Sequence, residues 1–364
     1  MDRVLVVIPA KYEKFLDEEI SLVKTVYKDI VETMIIRRPN TKYYVSMNKL
    51  EYVKNNSVDK IIVMDRLKPS QVINLTRETG KEVIDRVLLI LEVFQQHAGS
   101  LEAKLQIELA QLKHQLPLVK EAIRYAKIGE LHGYLGAGRY GYEKYYTMLK
   151  MREARIRREL EKLRKMRMTK RLHRMKIGFP HIAIVGYTCA GKTTLFNRLT
   201  NSNKPVGPEP FTTLSPKASR IRIGERDVIV IDTVGFIRDL PHEIIEAFYA
   251  TLEEILFSNI IVNVVDASKT IDRILNDIYE TRRILSHIGV QGKPVIIALN
   301  KIDLVDESEL HGKVRNIESI LESNELLITI SAEKNINIDK LVDLMKIILE
   351  DKENGENIRS KIWT

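Results

Sequence analysis

The stretch Gly186-Tyr187-Thr188-Cys189-Ala190-Gly191-Lys192-Thr193 constrains this chain more than any other, because it satisfies G-x-x-x-x-G-K-[ST]. It follows an apolar, β-branched run at 181–185 and opens a run with helical spacing. A loop of this kind between strand and helix closes backbone N–H groups round a phosphate. Lys192 then reaches the β and γ oxygens of a nucleoside triphosphate, and Thr193 offers its hydroxyl to Mg²⁺. A plain tight turn is the bland alternative, and it weakens as further motifs fall at strand ends.

Four more buried-type runs, at 228–231, 260–265, 295–299 and 326–330, each lead into a loop or a helical stretch. The pattern predicts a doubly wound P-loop domain over 181–350, with its ligand at the carboxyl ends of the strands. Asp232-Thr233-Val234-Gly235 stands at one such end: a carboxylate for the Mg²⁺ shell, and a glycine whose N–H can approach a γ-phosphate. Upstream, Phe211-Thr212-Thr213-Leu214 lies in a Gly- and Pro-containing loop where either threonine can complete the metal coordination. Asn300-Lys301-Ile302-Asp303 sets the base. Guanine presents paired N1–H and N2–H donors that the Asp303 carboxylate accepts together, and adenine has no such pair. Asn300 is then a tether and Lys301 an apolar cover for the ring, while Ser331-Ala332 offers a backbone N–H to guanine O6. The nucleotide set is Gly186, Tyr187, Thr188, Cys189, Ala190, Gly191, Lys192, Thr193, Thr194, a loop threonine, Asp232, Gly235, Asn300, Lys301, Asp303, Ser331 and Ala332, and GTP and GDP are the implied ligands.

The remainder of the chain divides by period. Residues 1–80 alternate apolar runs at 4–8, 34–36, 43–45 and 61–64 with helical stretches at 12–27, 48–55 and 70–78, which predicts a mainly parallel α/β subdomain without a metal, triad or phosphate signature. Over 81–176 the period is that of long helices. Leu105, Leu109, Leu112, Leu116, Val119, Ile123 and Ala126 form a heptad seam interrupted by Pro117. Glycines at 129, 133, 136, 138 and 141 break it, and Leu149, Ile156, Leu160 and Leu163 give a second stripe, so an antiparallel, coiled-coil-like helical hairpin is expected. Residues 177–180 read as a linker and 351–364 as a tail.

Residues 150–176 hold 13 Lys and Arg against 3 Glu, a net +10 that exceeds the +9 of the whole chain. A solvated helix face is the ordinary reading of such a run, and a polyphosphate partner is the functional one. Arg155, Arg157, Arg158 and Arg164 are its candidate RNA contacts. The single cysteine, Cys189, excludes internal disulfides and thiolate zinc sites, so any metal is held by oxygen. No apolar run reaches the ~18 residues of a membrane span, and the first apolar run is too short for a signal peptide. Cytoplasm is the expected compartment.

The motifs resemble the translation-factor-like class of P-loop GTPases, and almost the whole chain resembles the HflX family. The likeness rests on Asp85-Arg86, Leu88, Ile90-Leu91, Phe94, Gln96-His97-Ala98, Glu102, Lys104-Leu105-Gln106 and Glu108-Leu109-Ala110-Gln111-Leu112, and on the glycine-rich tip. It continues through Gly186-Tyr187-Thr188, Ala190-Gly191-Lys192, Leu195-Phe196-Asn197, Phe211 with Thr213-Leu214, and Asp232 through Ile237. The resemblance implies a Mg²⁺-dependent GTPase that binds the large ribosomal subunit and its rRNA, in some members splitting ribosomes, and acts as a monomer off the ribosome. It selects Thr213 over Thr212 as the switch threonine. Lys192, Thr213 and Gly235 then carry catalysis, and Thr193, Thr213 and Asp232 the metal. Two other classes fit the residues: an RNA-binding protein gated by nucleotide, acting away from ribosomes, and a GTP/GDP-binding scaffold with little turnover.

Three departures from the family pattern stand out. Cys189 replaces a phosphate-loop Asn, the tip is reduced to Gly141-Tyr142-Glu143, and about 14 residues follow the expected helix at 336–350 where many relatives carry a further domain. Phe236 occupies the position where many GTPases place a water-orienting glutamine, and no side chain is an obvious general base.

Overall fold

A computed structural model describes residues 2–127, 139–202, 217–238, 244 and 254–354. The chain forms two compact units, one built on residues 1–166 and the other on 167–240 and 248–364.

In the first unit, β1 (Arg3–Pro9), β2 (Asp29–Ile36), β3 (Lys60–Val63) and β4 (Glu82–Asp85) form a parallel sheet in the order β2-β1-β3-β4. Val4 through Ile8 are wholly buried, as a central parallel strand covered on both faces requires. Parallel neighbours need crossovers, supplied by α1 (Leu16–Val26), α2 (Met47–Asn55) and α3 (Pro69–Thr79).

Two details differ from the sequence reading. The run at 43–45 is not a strand. Asn40 and Tyr44 exchange backbone hydrogen bonds of 2.9 Å, and Asn40 Oδ1 accepts from the N–H of Lys42 and Tyr43. This tight turn puts Tyr43, Tyr44 and Val45 into the core without a strand ladder, although their apolar run predicts a strand. Residues 82–85, read as the start of the helical region, instead pair with β3, and α4 (Arg86–His97) begins only where the Asp85 carboxylate caps the N–H of Leu88 at 3.0 Å. Four residues are too few to show a period of two.

α5 (Leu101–Lys127) runs through Pro117, and α6 (Arg139–Ile177) follows it. Leu105, Leu109, Leu112, Leu116 and Val119 form one cluster with Leu149, Ile156, Leu160 and Leu163, so the two heptad stripes meet. Glu108 pairs with Arg152, and Glu143 lies 4.0 Å from Lys127. Deleting a buried leucine side chain costs about 2–5 kcal/mol. An exposed ion pair contributes under about 1 kcal/mol, so the leucines hold these helices together. The glycines at 129, 133, 136 and 138 lie outside the described residues.

The second unit is a six-stranded sheet in the order β10-β9-β8-β5-β7-β6, made of β5 (His181–Val185), β6 (Lys217–Ile223), β7 (Arg226–Asp232), β8 (Ile260–Asp266), β9 (Val295–Asn300) and β10 (Glu325–Thr329). All pairs are parallel except β6 with β7. The antiparallel edge β6 was not read from the sequence, because Lys-Ala-Ser-Arg-Ile-Arg-Ile carries charges at alternate exposed positions instead of an apolar run. One sheet face packs on α7 (Lys192–Thr200) and α10 (Ile338–Asn354), through Leu195, Phe196, Leu341 and Met345. The opposite face packs on α8 (Ile271–His287) and α9 (Glu307–Glu318), through Ile274, Ile278 and Ile317. Because β5 sits between β8 and β7, the chain first builds outward to β7 and β6 and then reverses past β5. The crevice beyond the carboxyl ends of β5 and β8 is therefore a topological switch point.

Candidate functional site

The phosphate-loop segment fills that crevice. Gly186 has φ +135°, and a Cβ there would stand 2.3 Å from the carbonyl oxygen of Val264 on the neighbouring strand, so no side chain fits. Gly191 has φ +96°, and its Cβ would meet Asn300 Nδ2 at 2.3 Å. The loop thus enters the site at a point touching β8 and leaves it at a point touching the end of β9. Thr188 remains half-buried, Cys189 is exposed with φ +62°, and Thr194 sits half-buried in the first turn of α7.

Lys192 is buried and its Nζ donates to the carbonyl of Tyr187 at 2.5 Å, which folds the lysine over its own loop. Burial pulls its ammonium down to about 8, against the opposing attraction of Asp232. Thr193 Oγ1 lies 3.1 Å from Asp232 Oδ2, and Asp232 is fully buried at the end of β7. A hydroxyl and a carboxylate this close are hard oxygen donors of the kind Mg²⁺ takes. Among the described residues no cluster of three or more His, Cys, Asp or Glu offers another metal site.

The Asp-x-x-Gly segment is joined to the loop. Phe236 N–H donates to the Gly186 carbonyl and the Phe236 carbonyl accepts from Thr188 N–H, both at 3.0 Å. Gly235 is thereby held so near Lys192 that an added Cβ would lie 2.9 Å from Nζ.

At the base end, Asn300 Nδ2 donates to the Ala190 carbonyl at 2.8 Å, while its Oδ1 accepts from Ala332 N–H at 2.9 Å. One buried side chain therefore ties the phosphate loop to the loop after β10. Lys301 Nζ pairs with Asp266 Oδ2 at 2.6 Å, which fixes the ammonium and leaves the methylene stem as the part able to cover a ring. Asp303 lies exposed in the short turn Ile302–Leu304. Ser331 N–H donates to the Ile336 carbonyl, so the amides of Ser331 and Ala332 are both already engaged, and an O6 contact shares them.

Thr213 lies outside the described residues. Arg155, Arg157, Arg158 and Arg164 are carried on α6, in the other unit, and all four are exposed. Two of them are partly neutralised in place, Arg157 by Glu153 at 2.7 Å and Arg155 by Glu159 at 3.2 Å.

Several residues of the site were not anticipated. Asp266 ends β8 as Asp232 ends β7 and Asn300 ends β9, and a buried apolar strand closing on a polar residue was a signal present in the sequence. Arg198 on α7 donates to the carbonyls of Ala332 at 3.0 Å and Glu333 at 2.6 Å, clamping the base-side loop. Arg238 and Asp277 form an ion pair of 2.9 Å, with side chains only 5% and 4% exposed. No local pattern announces that pair.

Comparison with known proteins gives a consistent answer. A family profile described as "50S ribosome-binding GTPase" matches residues 181–301, and profiles for a "GTP-binding GTPase Middle Region" and a "GTP-binding GTPase N-terminal" segment match 97–174 and 13–95. A protein of Hyperthermus butylicus named GTPase HflX is 44% identical over 88% of this chain and 88% of its own length. Its namesake in Saccharolobus solfataricus is 40% identical over 91% of this chain and 95% of its own length. The crystal structure of a GTP-binding protein from Sulfolobus solfataricus in complex with GDP has a TM-score of 0.53 and 33% identity, covering 96% of this chain and 99% of that one.

Proposed function

The chain belongs to the HflX family of P-loop GTPases, and from that membership and the geometry above we propose that it hydrolyses GTP and uses the nucleotide to set its hold on the large ribosomal subunit. Asn300 carries the reading: bonded at once to the phosphate loop and to the base-side loop, it makes recognition of guanine and grip on the phosphates one structural unit. Asp303 accepts the guanine donor pair, Lys301 covers the ring and Ala332 faces O6. Residues 186–194 wrap the phosphates, and Lys192 meets the oxygens that gain charge as the γ-phosphoryl leaves. Thr193 and Asp232, with Thr213, would hold Mg²⁺, which would neutralise phosphate charge. Gly235 directs its N–H at the γ-phosphate, so this segment distinguishes GTP from GDP.

α5 and α6 form an antiparallel hairpin in this reading, as the pairing of Glu108 with Arg152 and of Lys127 with Glu143 supports. Its basic arm binds rRNA. The protein works as a monomer off the ribosome, in the cytoplasm, and among the described residues no helix is long and apolar enough to cross a membrane. Sedimentation with purified large subunits in GDP, GTP and a non-hydrolysable analogue tests the proposal. Co-sedimentation is expected with the analogue and weak in GDP. Equal binding in all three states removes the switch, and full competition by free structured RNA moves the partner away from the ribosome.

Neutralising Arg155, Arg157, Arg158 and Arg164 together is expected to weaken ribosome binding and to flatten its salt dependence by about 0.7–0.9 log units of slope for each phosphate the arm no longer neutralises. GDP affinity should survive. An unchanged slope, read from binding isotherms at several salt concentrations, returns the arm to a solvated helix face.

A further inference from the structure

A buried charge cluster beyond the Asp-x-x-Gly segment lies outside the residues assigned to the nucleotide. Arg238 Nη2 donates to Asp277 Oδ1 on α8 at 2.9 Å, and Lys269 Nζ reaches Asp277 Oδ2 at 3.2 Å. The Arg238 guanidinium also lies 5.5 Å from the Tyr187 ring centroid, with the Lys269 ammonium 6.0 Å from the same ring. One carboxylate therefore gathers two cations against an aromatic residue of the phosphate loop.

Burying such a pair adds little net stability, because desolvation offsets most of the attraction and well-packed apolar side chains would serve as well. What it supplies is a fixed geometry. The chain leaving β7 at Asp232 is held at Phe236 by two backbone hydrogen bonds and next at Arg238 by this cluster. Gly235 lies between Asp232 and those anchors, packed against Lys192. With the second anchor freed, the chain after Gly235 is held by the two amide bonds of Phe236, and the chain before it by the bonds from Thr233 to the Ile184 carbonyl.

We propose that Asp277, Arg238 and Lys269 are positioning residues for GTP hydrolysis: their cluster pins the segment after Gly235 and sets where its N–H meets the γ-phosphate. The inference rests on the GTPase reading above. GDP lacks the γ-phosphate, so the cluster influences turnover without influencing GDP binding.

The test uses the full chain and Asp277→Asn, which keeps the side-chain shape and an acceptor for Arg238 but removes the charge. Single-turnover hydrolysis is measured per bound GTP, beside GDP affinity by titration and melting temperature. The rate constant is expected to fall about tenfold or more, the scale of small misplacements remote from the chemistry, with GDP affinity unchanged within about threefold. Arg238→Lys, which retains the buried charge but loses the forked geometry, should show the same split and serves if Asp277→Asn does not fold. In the double variant the loss should match that of the slower single, since both break one anchor. An unchanged rate per bound nucleotide overturns the proposal, as does a parallel loss of GDP affinity and melting temperature, which marks a merely structural pair. A wild-type chain that binds GDP but does not hydrolyse GTP overturns the underlying GTPase reading, and this proposal with it.

Discussion

Asp303→Asn is expected to weaken GDP and GTP binding by roughly a hundredfold and to confer affinity for the xanthine nucleotides. The carboxylate accepts two hydrogen bonds, from N1–H and N2–H of guanine, and bonds to a charged acceptor contribute about 1.5–3 kcal/mol each. The amide keeps one acceptor and turns its NH₂ toward the guanine NH₂, so one bond is lost and two donors are opposed. Xanthine has a carbonyl at that position and accepts from the new amide. The other parts of the base pocket are unaffected, because Asn300 is bonded to Ala190 and Ala332, and Lys301 to Asp266, independently of Asp303. Titrating GDP and XDP against both proteins decides the matter, and unchanged GDP affinity in the variant would place the base elsewhere.

Such a prediction is possible because the chemistry of this site is local in sequence. The phosphate loop is eight consecutive residues and the base motif four, the first positioned by the strand that ends just before it and the second by the strand that ends on its first residue. Gly186 and Gly191 are glycines for reasons a motif states only implicitly: Val264 and Asn300 occupy the space where their Cβ atoms would stand. Features that depend on partners distant in the chain were not legible. β4 is a strand because β3 lies beside it, and β6 because β7 supplies its ladder. The turn at Asn40–Tyr44 buries its residues 43 and 44 as thoroughly as a strand would, so an apolar run could not separate the two. Arg238 and Asp277 are 39 residues apart, and nothing near either of them shows that both are buried. The helical seam was legible for the opposite reason, since heptad spacing records which faces of α5 and α6 meet.

Turnover by the isolated protein is expected to be slow, and large ribosomal subunits to raise it by about a hundredfold, the order contributed by one well-placed polar group at a phosphoryl or acyl transition state. The reason lies at Phe236. Its backbone is bonded on both sides to the phosphate loop, and the residue is 2% exposed, so the position after Gly235 is rigid and apolar and offers no side chain to orient water. A monovalent cation held by the phosphate loop would compensate in part. Cys189 is the side chain at that place, and a thiol is a poor ligand for hard K⁺. Hydrolysis in K⁺ and in Na⁺ at equal ionic strength should therefore differ by less than about twofold. The missing group must then come from outside, through the segments that carry Thr213 and Gly235, when the ribosome is bound. Steady-state hydrolysis in both salts, with and without large subunits, separates these statements. Strong K⁺ stimulation of the isolated protein would show that Cys189 does not exclude the cation, and fast turnover without subunits would show that the Phe236 site is already complete.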